Sequence, residues 1–517
     1  MLRVPRWASL AAAGTALMLA LTACSAGQSV NVNPGASTSA SGGSAGGTLV
    51  AAIGGQPDQL DPAVTTSYNS FQVLENVYDT LVEPDDNLAM KPALAESWTT
   101  SQDQLTWTFK LRQGVKFHDG SPLTSKDVVY SYNRIIKGKL SPSWRFSAVT
   151  SITAPDDDTV VIKVKSPSPN LLANLGGFKG LAIVKESNVT SGDIKTKPIG
   201  TGPFSVESFT SGDSIKLKAN PDYWGGAPKL AGVTFKFIPE ASTAMAALRS
   251  GEVQWTDSVP PQEVASLKND SSITLGQVGS NDYWYLAMNE AKKPWSDVRV
   301  RQAVAYAIDR DAITKATKYG NATVNQLAIP KTSQWYVEYA PFTTDENKAK
   351  DLLAQAGVTK ADMTFLATSD YPETVTVGQL LADTLGKLGI TVKIKTVDFA
   401  TWLDEQGKGN FDMLMMGWLG NIDPDDFYYG QHHTDGSNNY QHFSNAEVDK
   451  LLDAGRVETD EAKRKDLYGQ AAKIIADQCS YIYLYNPDVL QVWSPKLQGY
   501  QVRGDRAIRF RTASLSS

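Results

Sequence analysis

Phe411-Asp-Met-Leu-Met-Met-Gly-Trp-Leu-Gly-Asn-Ile-Asp-Pro-Asp-Asp-Phe427 changes character halfway along. Leu414 to Met416 form a short apolar run bounded by Gly417 and Gly420, which fits a core strand better than a helix, although periodicity alone does not separate the two. Asp423-Pro-Asp-Asp426 then supplies an N-cap residue, a proline suited to the first helical position and two acids that complement a helix N-terminus. A strand end, a turn and a helix start therefore meet within a few residues. In α/β architectures ligands tend to sit at such junctions. The same residues also fit a buried strand with an ordinary capped helix behind it, so the rest of the chain has to decide between packing and function.

The N-terminal residues speak to location. Arg3 and Arg6 precede an apolar segment from Trp7 to Leu21, too short for a comfortable membrane span and laid out as a secretory signal. It ends in Leu21-Thr-Ala-Cys24, which resembles a bacterial lipobox and predicts cleavage after residue 23 with lipid on Cys24. Residues 25–47 are dominated by Ser, Gly, Ala, Asn, Val and Gln, a composition that cannot bury enough apolar surface to order itself. As a flexible coil this tether reaches roughly 25 Å, so the lipid and not a helix would hold the globular body at a membrane.

Losing residues 1–23 removes two arginines and no acid, which takes the formal net charge from −6 to −8. No basic stripe is present, and this argues against a nucleic-acid partner. After Cys24 the other cysteine is Cys479, so an internal disulfide is not expected despite the export route. About 470 residues of globular sequence exceed what one hydrophobic core usually serves, so two or more domains are expected.

From Thr48 onward the chain alternates strand and helix signals. Thr48 to Ala52 reads as a first strand and Leu74 to Leu81 as a helix. Gln104 to Arg112 alternates with Leu105, Trp107, Phe109 and Leu111 on one face, a half-buried antiparallel strand. Thr124-Ser-Lys-Asp127 matches a capping box that opens a helix through Val128, Val129, Tyr132 and Ile135. Asn220-Pro-Asp222 is a turn starter with Tyr223 and Trp224 packed beneath it, and His118 beside Asp119 reads as a turn histidine, since no nucleophile motif accompanies it.

Several of these blocks together carry a family resemblance. Leu94-Ala-Glu-Ser-Trp98, Phe109 to Gly120, Thr124 to Ser131, Ile199-Gly-Thr-Gly-Pro-Phe204, Asn220-Pro-Asp-Tyr-Trp-Gly-Gly226 and Ala246 to Glu252 resemble, in order, the bacterial extracellular solute-binding proteins of family 5 that serve peptide, dipeptide and nickel ABC importers. The resemblance implies an α/β, periplasmic-binding-protein-like fold: two lobes with a ligand cleft and an extra subdomain in the first lobe. On that basis residues 48–285 are expected to form the first lobe, with a strand-rich insertion at about 76–200, residues 286–485 the second lobe, and 486–517 a return segment. It further implies a non-enzymatic, monomeric lipoprotein that captures a small solute, a peptide in first place, and hands it to the permease subunits of an ABC transporter.

The second half fits an α/β lobe. Val298 to Arg310, Lys348 to Ala356 and Glu373 to Leu388 read as helices, the last leading through Gly389 into an alternating strand at Ile390 to Val397. Ser444 to Glu447 matches a second capping box, Lys463 to Asp477 a final helix, and Ile482 to Asn486 the return crossing implied by the resemblance. Asp282 to Asn289 is a strand loaded with Tyr283, Trp284 and Tyr285. The resemblance places it near the lobe crossing, with one of the three facing ligand, and alternation sets Tyr283 and Tyr285 opposite Trp284 without saying which side that is.

In peptide-binding members an aspartate three residues after a tryptophan pairs with the ligand's ammonium. Here the tryptophan is Trp418 and the aspartate's place is held by Asn421. A neutral amide keeps an acceptor but loses a charge-assisted bond of roughly 1.5–3 kcal/mol. Asp423 offers a substitute charge, although its Asp-Pro context favours a helix cap. The departure leaves room for a non-peptide solute on the same fold: a sugar, a glycoside or a metal complex. No resident cofactor or metal is expected, because His432-His433 have no cysteine or acid at ligand spacing. A surface-anchored hydrolase ranks last, since no Gly-x-Ser-x-Gly or His-Glu-x-x-His constellation is present.

Overall fold

The computed structural model describes residues 46–177 and 180–516. Cys24 and the expected tether fall outside these residues, apart from its last two positions. Among them, one twelve-stranded sheet runs from end to end. The first lobe contributes Gly46–Ile53, paired in parallel with Leu230–Phe237, followed by the antiparallel strands Ser214–Ala219 and Phe204–Thr210. In the second lobe Met413–Trp418 lies between Ala361–Thr368, which is parallel to it, and Tyr283–Met288, which is antiparallel. Ile390–Val397 closes that edge.

One strand joins the two. Ile482–Trp493 pairs with Tyr283–Met288 through its first residues and with Thr274–Gly279 through its last. The expected crossing at Ile482–Asn486 is thus the first part of a twelve-residue strand. The chain crosses beside it at Ser280–Asp282, where Ser280 Oγ donates to the Pro487 carbonyl and Asn486 Nδ2 to the Asp282 carbonyl. A separate four-stranded antiparallel sheet, Ala95–Thr100, Thr106–Leu111, Thr159–Val164 and Val149–Asp156, packs against the helix Ser125–Gly138 and forms its own core. Trp107, Phe109 and Leu111 are buried there, as the alternation predicts.

The apolar run at Leu414 follows from its central place in the sheet. Met413 and Met415 face one core with Trp284, Leu286 and Met288, while Leu414 and Met416 face the other with Tyr283 and Tyr285. A strand covered on both faces reads as a continuous hydrophobic run.

Three local expectations are corrected. The helix placed at Leu74–Leu81 is Tyr68–Leu74, and the residues after it turn so that the Val77 carbonyl accepts from Gly202. Val298–Arg310 is two helices, Val298–Ala307 and Arg310–Lys318, because Asp309 caps the second through the Ala312 N–H. The second capping box is an Asn445 cap, whose side chain accepts from Glu447 and Val448.

Candidate interlobe solute site

The turn after Met413–Trp418 is shaped by close approach and by one carboxylate. A Cβ on Gly417 would come within 2.9 Å of the Trp284 ring, so the strands meet there only with glycine. Gly420 has φ +65°, a left-handed conformation glycine adopts at little cost. Asp282, buried in the crossing segment, accepts from the Gly420 N–H at 2.8 Å and from Arg506 Nη1 at 3.0 Å. Asn281 Nδ2 donates to the Asn421 carbonyl at 2.7 Å. The turn is thereby pinned by the crossing segment itself.

Leu419 and Gly420 line a cavity of ≈ 240 Å³ between the lobes. Its other walls come from the first lobe and the return segment, chiefly Tyr68, Phe71, Trp144, Arg145 and Arg506. Asp505 also lines it, but its carboxylate is held by Arg503 Nε and Nη2 at 3.0 and 2.8 Å. A second cavity of ≈ 220 Å³ lies on the far side of Arg145, walled by Lys165, Asn170 and Asn174 of the inserted subdomain and by Asp453 and Arg456 of the second lobe. Asn170 Nδ2 donates to Asp425 Oδ2 at 3.2 Å, which ties the subdomain to the second lobe.

Two acids beyond the turn, Asp423 and Asp425, serve structure. Asp423 caps the helix Pro424–His432 by accepting from the Asp425 N–H, and both its oxygens take bonds from Arg464 at 2.6 and 2.7 Å. This corrects the expectation that Asp423 could replace the missing ligand-facing charge: its lone pairs are engaged inside the lobe. Asp425 accepts from Tyr468 Oη at 2.9 Å and lies 3.2 Å from Arg456 Nε. Burial pushes its carboxyl up to about 6 against the pull of Arg456, with Asp423 and Asp426 adding to the rise.

The strand aromatics are core residues as well. Tyr283 stacks on Phe427 at 5.9 Å, Tyr285 lies flat on Tyr481 at 3.7 Å, and Trp284 meets Tyr371 edge-on and Tyr485 face-on. Tyr283, Trp284 and Tyr285 line neither cavity, their strand being internal and covered on both faces, and Trp418 and Asn421 are not among the lining residues either. Trp418 is half-buried against the second-lobe core. Asn421 sits beside the cavity turn with its Nδ2 buried and without a partner.

His118 bridges the Gly202 carbonyl and the Gly200 N–H, and His432 is enclosed between Ser480 Oγ and Tyr483 Oη, both at 2.9 Å. Burial takes His432 down to about 3, so it stays neutral. Cys479 is buried, its thiol pushed up to about 12 by burial. Among the described residues no group of acids, histidines and cysteines is placed to hold a metal, and no helix is long and apolar enough to cross a membrane.

Sequence reading missed the first-lobe wall. Trp144 and Arg145 lie on a single 3-10 segment, Ser141–Phe146. The available signal was a large aromatic next to a cation in a Ser-Pro loop, and Trp144 is 51% exposed.

Comparison with known proteins agrees with this geometry. Residues 89–439 match the family described as bacterial extracellular solute-binding proteins, family 5 Middle. The probable D,D-dipeptide-binding periplasmic protein DdpA of Escherichia coli (strain K12) is 30% identical over 468 residues, with 87% of this chain and 91% of that protein covered. The Helicobacter pylori periplasmic binding protein DppA, solved with the peptide STSA, superimposes with a TM-score of 0.81 at 30% identity, covering 91% of this chain and 98% of that one. AgaA from Agrobacterium tumefaciens R10, solved with agropinic acid, also gives 0.81 at 30% identity, covering 91% and 99%. These are two-lobed periplasmic binding proteins, substrate binders by description, and the mixed α/β architecture here is theirs. The chain belongs to the bacterial extracellular solute-binding proteins of family 5.

Proposed function

We propose that this protein is the solute-capturing component of an ABC importer, taking a solute of the peptide class between its lobes and delivering it to the permease without altering it. The observation that carries this reading is the interlobe cavity, closed on one side by the Leu419–Gly420 turn and on the other by Tyr68, Trp144 and Arg145. Its two sides come from different lobes, so opening at the Ser280–Asp282 and Asn486–Pro487 crossings would admit and release a ligand. The D,D-dipeptide-binding and STSA-bound relatives support the peptide class.

Trp418 and Asn421 remain the second-lobe residues proposed to shape ligand contact. The body would act as a monomer, held outside the cytoplasmic membrane by lipid on Cys24. A non-peptide solute on the same fold is the second reading, favoured by the neutral Asn421 in the acid's place and by the relative solved with agropinic acid.

A ligand that binds only the folded form raises the melting temperature by mass action. A melting-shift screen of the mature protein over di- to pentapeptides, N-acetylated peptides, oligosaccharides, sugar acids and nickel complexes tests the assignment. Shifts with peptides are expected. A shift confined to sugars or sugar acids would replace the first reading by the second, and ligand recovered chemically altered would replace both by an enzyme.

A further inference from the structure

Arg145 occupies an unusual position. Its guanidinium lies over the Trp144 ring at 4.7 Å and lines both the ≈ 240 Å³ and the ≈ 220 Å³ cavities. Its carbonyl accepts from Asn174, but among the described residues its guanidinium makes no hydrogen bond or ion pair. Other cleft arginines are engaged: Arg506 with Asp282, Arg503 with Asp505 and Asp86, Arg456 with Asp425. Asp426, whose buried Oδ1 has no partner, attracts Arg145 through space without forming an ion pair with it.

Two further unpartnered groups near the first cavity are donors. Arg506 Nε and Asn421 Nδ2 are buried without acceptors. The carboxylates near the turn are not available to a ligand cation, since Asp282, Asp423 and Asp505 all hold arginines. The first cavity's wall, with the Arg145 guanidinium and Arg506 Nε idle and the Asp505 carboxylate engaged, matches a ligand rich in acceptors.

We propose that the solute carries a carboxylate that docks on Arg145 at the junction of the two cavities, and that a free ammonium group is not required for its recognition. This rests on the solute-binding reading above and narrows its ligand. A planar guanidinium binds a carboxylate through two parallel hydrogen bonds, and its partial removal from water strengthens the pair. The ligand anion supplies the counter-charge that the protein withholds.

The test compares acid and amide partners by calorimetry on the mature protein: N-acetyl-Ala-Ala against its C-terminal amide, Ala-Ala against Ala-Ala-amide, and gluconate against glucose. The acid is expected to bind about tenfold or more tightly than its neutral partner, and N-acetylation to matter less than amidation. Arg145→Met should erase the acid preference, whereas Asp426→Asn should keep it. Equal binding of acid and amide overturns the proposal while leaving solute capture intact. Loss of the preference in Asp426→Asn also overturns it, by showing that Arg145 acts through Asp426. A preference for gluconate alone upholds it and replaces the peptide class.

Should none of these probes bind, the unliganded protein decides. An arginine kept for a ligand leaves the empty protein more stable when replaced, so Arg145→Met should raise its melting temperature. A lowered or unchanged value would mark Arg145 as structural and end the proposal.

Discussion

The two walls of the interlobe cavity are made of different material. The second-lobe wall at Leu419–Gly420 is a backbone turn with a glycine at φ +65°, held from behind by Asp282 and followed by a helix braced through Asp423 and Arg464. The first-lobe wall is made of side chains, with an exposed Trp144, an Arg145 unpaired among the described residues and the Tyr68 ring beneath Arg506. A fixed wall sets where the ligand stops, and a wall of side chains sets which ligand is held. For the proposed solute, the stretch most visible in sequence would build the stop, and the side chains across the cleft would add selectivity.

The largest expected effect breaks the fixed wall. Arg464→Ala leaves Asp423 buried without its counter-charge, and urea unfolding should show a loss of about 3–5 kcal/mol. A loss below about 1 kcal/mol would mean the second-lobe wall is not braced by this pair. Next is Asp282→Asn, which keeps an acceptor for the Gly420 N–H and loses the charge facing Arg506. Unfolding should register about 1.5–3 kcal/mol, with weaker ligand binding in parallel. Stability lost without any change in affinity would separate the turn from the site.

Substitution in the side-chain wall should do the reverse. Trp144→Ala is expected to weaken ligand binding about tenfold, near 1.4 kcal/mol. The unliganded protein should change by no more than about 0.5 kcal/mol, because the ring is largely exposed. If stability falls and affinity does not, the two walls have been assigned the wrong way round.

A control lies remote from both walls. Burial lifts Glu290 to about 7 from 4.5, opposed by Arg301 at 3.0 Å. The folded protein therefore retains a proton that the unfolded chain releases, so this group costs stability as pH rises from 4.5 to 7. Glu290→Gln cannot titrate, and its melting temperature relative to the parent should climb across that interval and level off above it. Ligand affinity should stay put. A flat difference would show that Glu290 is ionised throughout.

Much of the second lobe was legible because its periodicities are local. The strand Ile390–Val397 follows Gly389, which has φ +82°, and the helix Glu461–Asp477 begins directly after its Asp460 cap, close to the Lys463 start the pattern gave. The capping box at Thr124–Asp127 forms as read. The errors came where one pattern serves two structures. Asp282 to Asn289 carries aromatics that suit a ligand floor and a doubly covered core strand equally well, and pairing with Met413–Trp418 and Ile482–Tyr485 resolved them as core. Asp423 suited both a ligand acid and a cap until Arg464, forty-one residues on, engaged both its oxygens.

By itself, the sequence determined the fold class, the family resemblance and the strand-turn-helix junction from Phe411 to Phe427, because hydrophobic period, caps and turns act over a few residues. Only the tertiary structure decided which charges are already paired. That depends on groups far apart in the chain, such as Asp282 with Arg506 and Asn170 with Asp425. Arg145 gains its meaning in the same way: a guanidinium is ordinary in a sequence, and informative when folding draws it from water without an ion pair among the described residues.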